Sequence, residues 1–247
     1  MQPHDCHRPE VLARSDGVLG EVVLRRRGHG PGAVHELVVN GVFLMDTTDV
    51  SSERRLATDT LDVVEGDGLR VMVGGLGLGF TAAHLLRSSR VAEVTVVEIE
   101  PLLTGWLRGG LVPSPPGLWD DARLTVVDGD VAAVLATLDA GRLDAVLLDV
   151  DNGPDFLVHG ANARVYGAPV LSAAASAVRA GGVVSVWSAS PSRALHDGLE
   201  DAVGPCQERL LRVVRDGREL QYALYLAVVR PGRRGRRASA SPPPCSR

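Results

Sequence analysis

An apolar run that breaks into clustered glycines constrains this chain more than any other stretch: Val71-Met72-Val73-Gly74-Gly75-Leu76-Gly77-Leu78-Gly79-Phe80-Thr81. A helical pattern follows it, and a second apolar run, Val94-Thr95-Val96-Val97, ends on Glu98. Parallel α/β sheets build nucleotide pockets from this unit of strand, glycine turn, helix, strand and acid. Glycines let a ligand approach the backbone, the helix start offers free N–H groups, and the carboxylate accepts from ribose hydroxyls.

The rest of the chain alternates in the same way. Strands are expected at 69–74, 93–98, 123–127, 143–149 and 182–188, with helices at 79–88, 101–108, 129–138, 167–179 and 192–203. Continuous apolar strands such as Ala145-Val146-Leu147-Leu148 are buried on both faces, which makes the sheet mainly parallel with helices on each side. Two late runs, 207–215 and 219–229, hinged at Asp216-Gly217, predict a closing antiparallel pair. Before this domain, Asn40-Gly41 between Val34–Val39 and Val42–Met45 marks a β-hairpin. The expected organisation is a loose leader over 1–17, a hairpin unit over 18–50, a nucleotide-binding α/β domain over 51–230 and a disordered Arg/Pro/Ser-rich tail over 231–247. Ser51 and Ser52 are expected to cap a helix from about Glu53.

A chain of 247 residues with 45% hydrophobic residues can bury a substantial core, and with 4% aromatics that core must be Val, Leu and Ala. All 26 basic residues are arginine, which excludes Schiff-base chemistry and a P-loop lysine. A net charge of −4 does not point to nucleic acid. Cys6, Cys206 and Cys245 lack metal-ligand spacing, and no metal is expected. No apolar run reaches the ~18 residues of a membrane span, so no membrane is expected and a cytoplasmic protein is the default.

Acids recur at the carboxyl ends of the expected strands, where ligands bind in such sheets. Glu98 ends the second, Asp128-Gly129-Asp130 follows the third and Asp149-Val150-Asp151-Asn152 follows the fourth. Asp130 stands at a helix start, where it reads equally as a cap. A dinucleotide is disfavoured, because the Gly75-Leu76-Gly77-Leu78-Gly79 spacing puts Phe80 where the third fingerprint glycine belongs. An adenosyl ligand without phosphates fits better, with Glu98 on the ribose, Asp128 on the adenine amine and the glycine turn (Gly75, Gly77, Gly79) at the methionine-like end.

These stretches, with Asp121-Ala122-Arg123-Leu124-Thr125-Val126-Val127-Asp128-Gly129 and Asp149-Val150-Asp151-Asn152-Gly153-Pro154, resemble the spermidine synthase (polyamine aminopropyltransferase) family over residues 20–229. The resemblance implies a Rossmann-like methyltransferase fold. It implies an aminopropyl group moved from decarboxylated S-adenosylmethionine to a small amine, a cofactor site at Glu98, Asp128 and Gly129, and Asp149 assisting amine deprotonation, with Asp151 as second candidate. It further implies substrate contacts from Asn152, Tyr166 and His35, and it allows a homodimer.

The chain departs from the family pattern on the amine side. Leu78 stands where the family turn carries the Asp that grips the cofactor's amino end, and Glu53-Arg54-Arg55-Leu56-Ala57-Thr58 lacks the family's tyrosine, histidine and second acid. The alternatives are an S-adenosylmethionine-dependent methyltransferase acting on a small molecule, or a non-catalytic protein that retains the fold. Leu78→Asp is expected to improve selection of the decarboxylated cofactor if that position faces it. His84, Trp106 and Trp187 read as packing residues, and His159 as a loop residue that lines the site or faces solvent.

Overall fold

The computed structural model describes residues 9–154, 157, 160–215 and 218–231. They form two sheets. The first is antiparallel, in the order β1 (Glu10–Gly17), β2 (Gly20–Arg27), β3 (Val34–Val39), β4 (Val42–Asp46). At the β3–β4 turn Asn40 has φ 51° and Gly41 φ 76°, the left-handed pair a type I′ hairpin requires.

The leader expected over 1–17 is corrected here: Glu10–Gly17 is a strand paired with β2 from Glu10↔Arg26 to Gly17↔Gly20. It is an edge strand with little buried surface, so its residues carry no apolar run to betray it. The N-terminal unit is therefore four strands beginning at Glu10. Residues 1–8, the Asp216-Gly217 hinge, His159 and residues 232–247 of the expected tail lie outside the described residues.

The second sheet contains β5 (Leu69–Gly74), β6 (Val91–Glu98), β7 (Leu124–Asp128), β8 (Leu143–Leu148), β9 (Val178–Ser188), β10 (Cys206–Arg215) and β11 (Arg218–Val228). Its spatial order is β10-β11-β9-β8-β5-β6-β7. Strands β7, β6, β5, β8 and β9 are mutually parallel, and β11 and β10 close the sheet antiparallel. Six helices join them: α1 (Ser51–Val63), α2 (Phe80–Leu86), α3 (Pro101–Arg108), α4 (Val131–Thr137), α5 (Ala168–Ala177) and α6 (Arg193–Ala202). Ser51 and Ser52 lie inside the first turn of α1 rather than capping it.

Alternate residues of each strand feed two cores. Val71, Val73, Ala145 and Leu147 pack with Leu56 of α1, Leu85 of α2 and Leu107 of α3. Met72, Val146 and Leu148 pack with Leu135 of α4, Leu171 of α5 and Leu199 of α6. A strand buried on both faces has no polar position to spare, which explains the unbroken apolar runs. Each such Val or Leu contributes about 1.5–3 kcal/mol by burial.

The chain runs outward from β5 to β6 and β7, then returns to the other side of β5 as β8. After β5 the chain enters α2 on one face, and after β8 it reaches α5 on the opposite face. Their divergence opens a crevice at the carboxyl ends of β5 and β8. The N-terminal sheet covers that crevice: Val22, Leu24 and Leu37 join the core beneath α1 to α3. Glu100 fastens it, accepting from the Val18 N–H at 2.7 Å and from Leu102 N–H at 3.1 Å. No described helix is long and apolar enough to cross a membrane.

Candidate active site

The crevice holds a cavity walled by the ends of β5, β6 and β8 below and by the N-terminal sheet above. The sequence-predicted Gly75, Gly77, Glu98, Gly129, Asp149, Asp151 and Asn152 all line it.

Gly75 follows β5 with φ +92°, and its N–H donates to Val97 O at 2.9 Å. Beside it, Asp149 N–H donates to Gly74 O at 2.9 Å, so the β8 end is drawn against the turn. Gly77 has φ +50°, and a β-carbon there would lie 2.7 Å from Met45 Sδ. Met45 comes from β4 and also accepts from Leu78 N–H at 3.3 Å. A thioether of the N-terminal sheet thus sits on the glycine turn.

Glu98 is buried, and both carboxylate oxygens grip backbone: Oε2 accepts from Leu76 N–H at 2.7 Å and Oε1 from Glu100 N–H at 2.8 Å. Burial raises its pKa, the Leu76 and Glu100 N–H groups oppose that, and the neighbouring Glu100 charge adds to it. The Ile99 N–H is a third backbone donor to it. An ionised carboxylate has about four acceptor positions, so one remains for a ligand hydroxyl.

Asp149 is half-buried and lines the cavity. Its Oδ2 accepts from Thr81 Oγ1, in the first turn of α2, at 2.6 Å. Loss of solvation pushes its carboxyl up to about 6, against the lowering effect of the Thr81 hydroxyl. A carboxyl with a pKa near neutrality is suited to taking and releasing a proton. Asp151, at φ +59°, is held differently: Oδ1 accepts from Asn152 N–H at 2.7 Å and Oδ2 from Asn162 Nδ2 at 2.6 Å. Asn152 donates from Nδ2 to Phe43 O at 3.3 Å, bridging the β8 loop to the N-terminal sheet.

Four predicted residues fall elsewhere. Asp128 ends β7, the edge strand, where its side chain is exposed and outside the cavity wall. Gly79 caps α2 at φ +86° against Leu118, away from the wall. Tyr166 is buried behind the wall; its hydroxyl donates to Val150 O and supports the Asp149–Asn152 loop from outside. Burial, with Asp151 and Asp149 nearby, raises its pKa. His35 is buried within β3 and does not line the cavity; burial and Arg26 lower its pKa. Leu78 is 1% exposed and belongs to the core around α1 to α3, so it does not face a ligand.

Other lining residues were not named as site residues from the sequence, although Glu53 opens the amine-side stretch quoted there. Leu19, Leu44 and Met45 belong to the covering sheet, and Glu53 to the first turn of α1. Asp130 does both jobs considered for it: it caps α4 through Ala132 N–H at 3.0 Å, pairs with Arg164 at 2.6 Å and lines the cavity. Trp187, read as packing, lines the cavity as well. Phe80 contributes to the wall without closing it. Among the described residues the wall carries six carboxylates, Glu53, Glu98, Glu100, Asp130, Asp149 and Asp151, against one cation, Arg164. Set in otherwise apolar walls, that imbalance favours a cationic ligand.

No family model matches the chain. It is 30% identical over 184 residues to a polyamine aminopropyltransferase of Mycobacterium tuberculosis, covering 73% of this chain and 33% of that protein. It is 31% identical over 123 residues to putrescine N-methyltransferase 4 of Nicotiana tabacum, covering 48% and 30%. The chain thus spans about a third of the length of the curated relatives it matches. Among solved structures, a spermidine synthase in complex with the transition-state analogue AdoDATO matches with a TM-score of 0.75 at 15% identity, over 89% of this chain and 73% of that one. The spermidine synthase of Thermotoga maritima matches with a TM-score of 0.71 at 14% identity, over 89% and 72%. In sequence the chain is thus similar to polyamine aminopropyltransferases, and it shares the α/β fold of the spermidine synthases.

Proposed function

We propose that the chain is a transferase that binds an S-adenosyl sulfonium in this cavity and moves its aminopropyl group from decarboxylated S-adenosylmethionine to a small amine. The observation that carries the reading is the meeting of Glu98 and Asp149, from the ends of strands flanking β5, in one acid-rich cavity. The polyamine aminopropyltransferase similarity supports it. Glu98 and the glycine turn hold the nucleoside, and Asp149 faces the incoming amine.

The chemistry is an in-line displacement. A protonated amine, with an unperturbed pKa near 10, has no lone pair to offer. Asp149 accepts that proton, directly or through water, as the amine nitrogen attacks the sulfonium carbon. The C–N bond forms, the C–S bond breaks, and sulfur keeps the electron pair as a neutral thioether. Sulfur loses charge along this path, so an acid clamped on it would favour the ground state. Carboxylates belong on the amine side, where Asp149, Asp151 and Glu53 are placed in this reading.

A second reading, methyl transfer from S-adenosylmethionine to a small amine, is favoured by one observation. The glycine turn presents no acid to select a donor without its carboxylate, and Leu78 is buried. The putrescine N-methyltransferase similarity supports it. Calorimetric titration with the two sulfoniums separates the readings. Tighter binding of the decarboxylated form, with turnover of an amine, is the expected result; preference for the carboxylated form transfers the assignment to methyl transfer. Binding of neither sinks both and leaves a retained fold without catalysis.

A further inference from the structure

Among the described residues four strands stand at sheet edges: β1, β4, β7 and β10. β4 and β7 are five residues long, and β1 shifts register against β2 between Val11 and Ala13. Short or bulged edges resist pairing with a further strand. β10 has neither protection. It runs ten residues without a proline and follows β11 from Cys206↔Ala227 to Arg215↔Arg218 with no shift.

The outer edge of β10 can be assigned residue by residue. Pro205 O accepts from Val228 N–H at 3.0 Å, which marks a hydrogen-bonded pair one step before Cys206↔Ala227. Such pairs alternate along an antiparallel ladder. Gln207, Arg209, Leu211 and Val213 therefore turn their backbone groups toward β11. Cys206, Glu208, Leu210, Arg212 and Val214 turn theirs outward.

Side chains alternate between the two faces in the same step. Arg209 pairs with buried Asp59 of α1 at 3.1 Å, and Leu211 and Val213 join the core on that side. On the other face Glu208 and Arg212 are exposed, as are Leu210 at 48% and Val214 at 71%. Val214 is the most exposed large hydrophobic residue among those described. Glu208 Oε1 accepts from the Tyr225 hydroxyl at 2.7 Å, and Arg212 Nε lies 3.6 Å from Glu219. Glu208 Oε2 and the Arg212 Nη groups remain available to a further charge.

We propose that β10 pairs antiparallel with β10 of a second copy of this chain, about a two-fold axis through Leu210, joining the two seven-stranded sheets into one. The strand itself selects that occupant and that register. With the axis at Leu210, Glu208 of one copy faces Arg212 of the other, Leu210 faces Leu210, and Cys206 faces Val214. Each of these residues has its backbone groups turned outward, so the ladder continues across the axis. Moving the axis by one residue sets Glu208 or Arg212 against Leu210. Moving it by two sets Glu208 against Glu208 or Arg212 against Arg212. Opposite charges across strands stabilise a pairing and like charges oppose it. A self-complementary contact of this kind closes at two copies. β11 and β9 separate β10 from β8, and no β10 residue lines the acid-rich cavity, so the inference stands apart from the transferase reading.

Sedimentation velocity on the full chain, from about 1 to about 100 µM, tests it, because a self-associating chain responds to concentration. The parent is expected to sediment as a dimer at the upper end. Leu210→Pro removes an N–H that points away from β11, so the internal ladder persists while the intermolecular one is broken. It is expected to keep the parent's far-UV circular dichroism and to sediment as a monomer. Arg212→Glu sets acid against acid across the axis and is expected to weaken association by about tenfold or more. Adding Glu208→Arg to it reverses the pair and is expected to restore association. Should Leu210→Pro fail to fold, the charge exchange decides alone. A parent that stays monomeric throughout overturns the inference. A dimer that withstands Arg212→Glu overturns it as well, since that dimer uses another face. Dissociation by Arg212→Glu without rescue in the folded double variant removes the Glu208–Arg212 contact, and with it this register.

Discussion

Gly75 runs so close to the residue after β8 that a β-carbon on it would overlap the carbonyl oxygen of Asp149. The closeness is what brings the turn and the acid into one cavity. The same position has φ +92°, where an L side chain is strained whatever the space.

Gly75→Ala is therefore expected to destabilise the fold by about 2–4 kcal/mol, combining strain of about 1–3 kcal/mol with overpacking against backbone that cannot rotate away. A denaturant midpoint shifted down at unchanged m-value would bear this out. A midpoint within error of the parent would show that the two strands need not approach so closely.

Asp149→Asn separates stability from activity. A carboxyl raised to about 6 from 3.8 holds its proton more tightly in the folded chain than in the unfolded one. Its stabilising contribution is therefore present below about pH 3.8 and is lost as pH rises to about 6. Above that, the ionised group costs the fold of order 2–3 kcal/mol. The asparagine keeps an acceptor for Thr81 and removes that cost. We expect a higher melting temperature at pH 8, no difference near pH 4, and transfer reduced by about 10²–10⁴-fold. In the parent chain kcat/KM should rise through about pH 6 as this carboxylate forms. Equal melting temperatures at pH 8 would mean that Asp149 is not held away from water.

Glu98→Gln retains one acceptor oxygen and turns an NH₂ toward the other backbone N–H. One of Leu76 N–H and Glu100 N–H then loses its partner. A cost of about 1–3 kcal/mol follows, and sulfonium affinity is expected to fall by about tenfold as the glycine turn loosens. Chemical denaturation and calorimetry on the same preparation read the two effects. Donor affinity unchanged beside lost stability would confine Glu98 to a structural role.

Leu78→Asp, proposed from sequence as a donor-selectivity change, is now expected to act on the fold. The side chain sits in a packed apolar cluster and would bury a carboxylate without a cation. Destabilisation of about 3–5 kcal/mol is expected. Whatever folds should keep the parent's preference between the two sulfoniums, measured by competition. An increased preference for the decarboxylated form would restore Leu78 to the ligand's side.

The parts of the site that were legible in the sequence are those that stand directly at the carboxyl end of a strand. Gly75, Glu98 and Asp149 announce themselves because strand, glycine and acid are local, and the strand-order reversal then places their chain positions together. Asp128 obeyed the same pattern yet ends the edge strand with its side chain exposed rather than in the cavity wall, and periodicity does not reveal which strand is last. Met45 and Leu19 were invisible as site residues because they come from another sheet folded over the top, and nothing local distinguishes them from core. The Asp121-Ala122-Arg123 stretch shows the converse. Arg123 pairs with Asp121 at 2.7 Å and donates to the carbonyls of Ser88, Val91 and Leu86, so it staples the β6 and β7 entries together. A family-like motif here serves architecture.

The Glu100–Val18 fastening reaches further than its single hydrogen bond. Residues before Ser51 form the ceiling of the chamber, and the residues after it supply the floor with its acids. Lift that ceiling, by truncation at Ser51 or by cutting the Glu100 tether, and water floods the Asp149 carboxyl. Its affinity for protons would then relax toward that of an ordinary aspartate. The base proposed for this chain is thus made by two sheets acting jointly, and neither half alone possesses it.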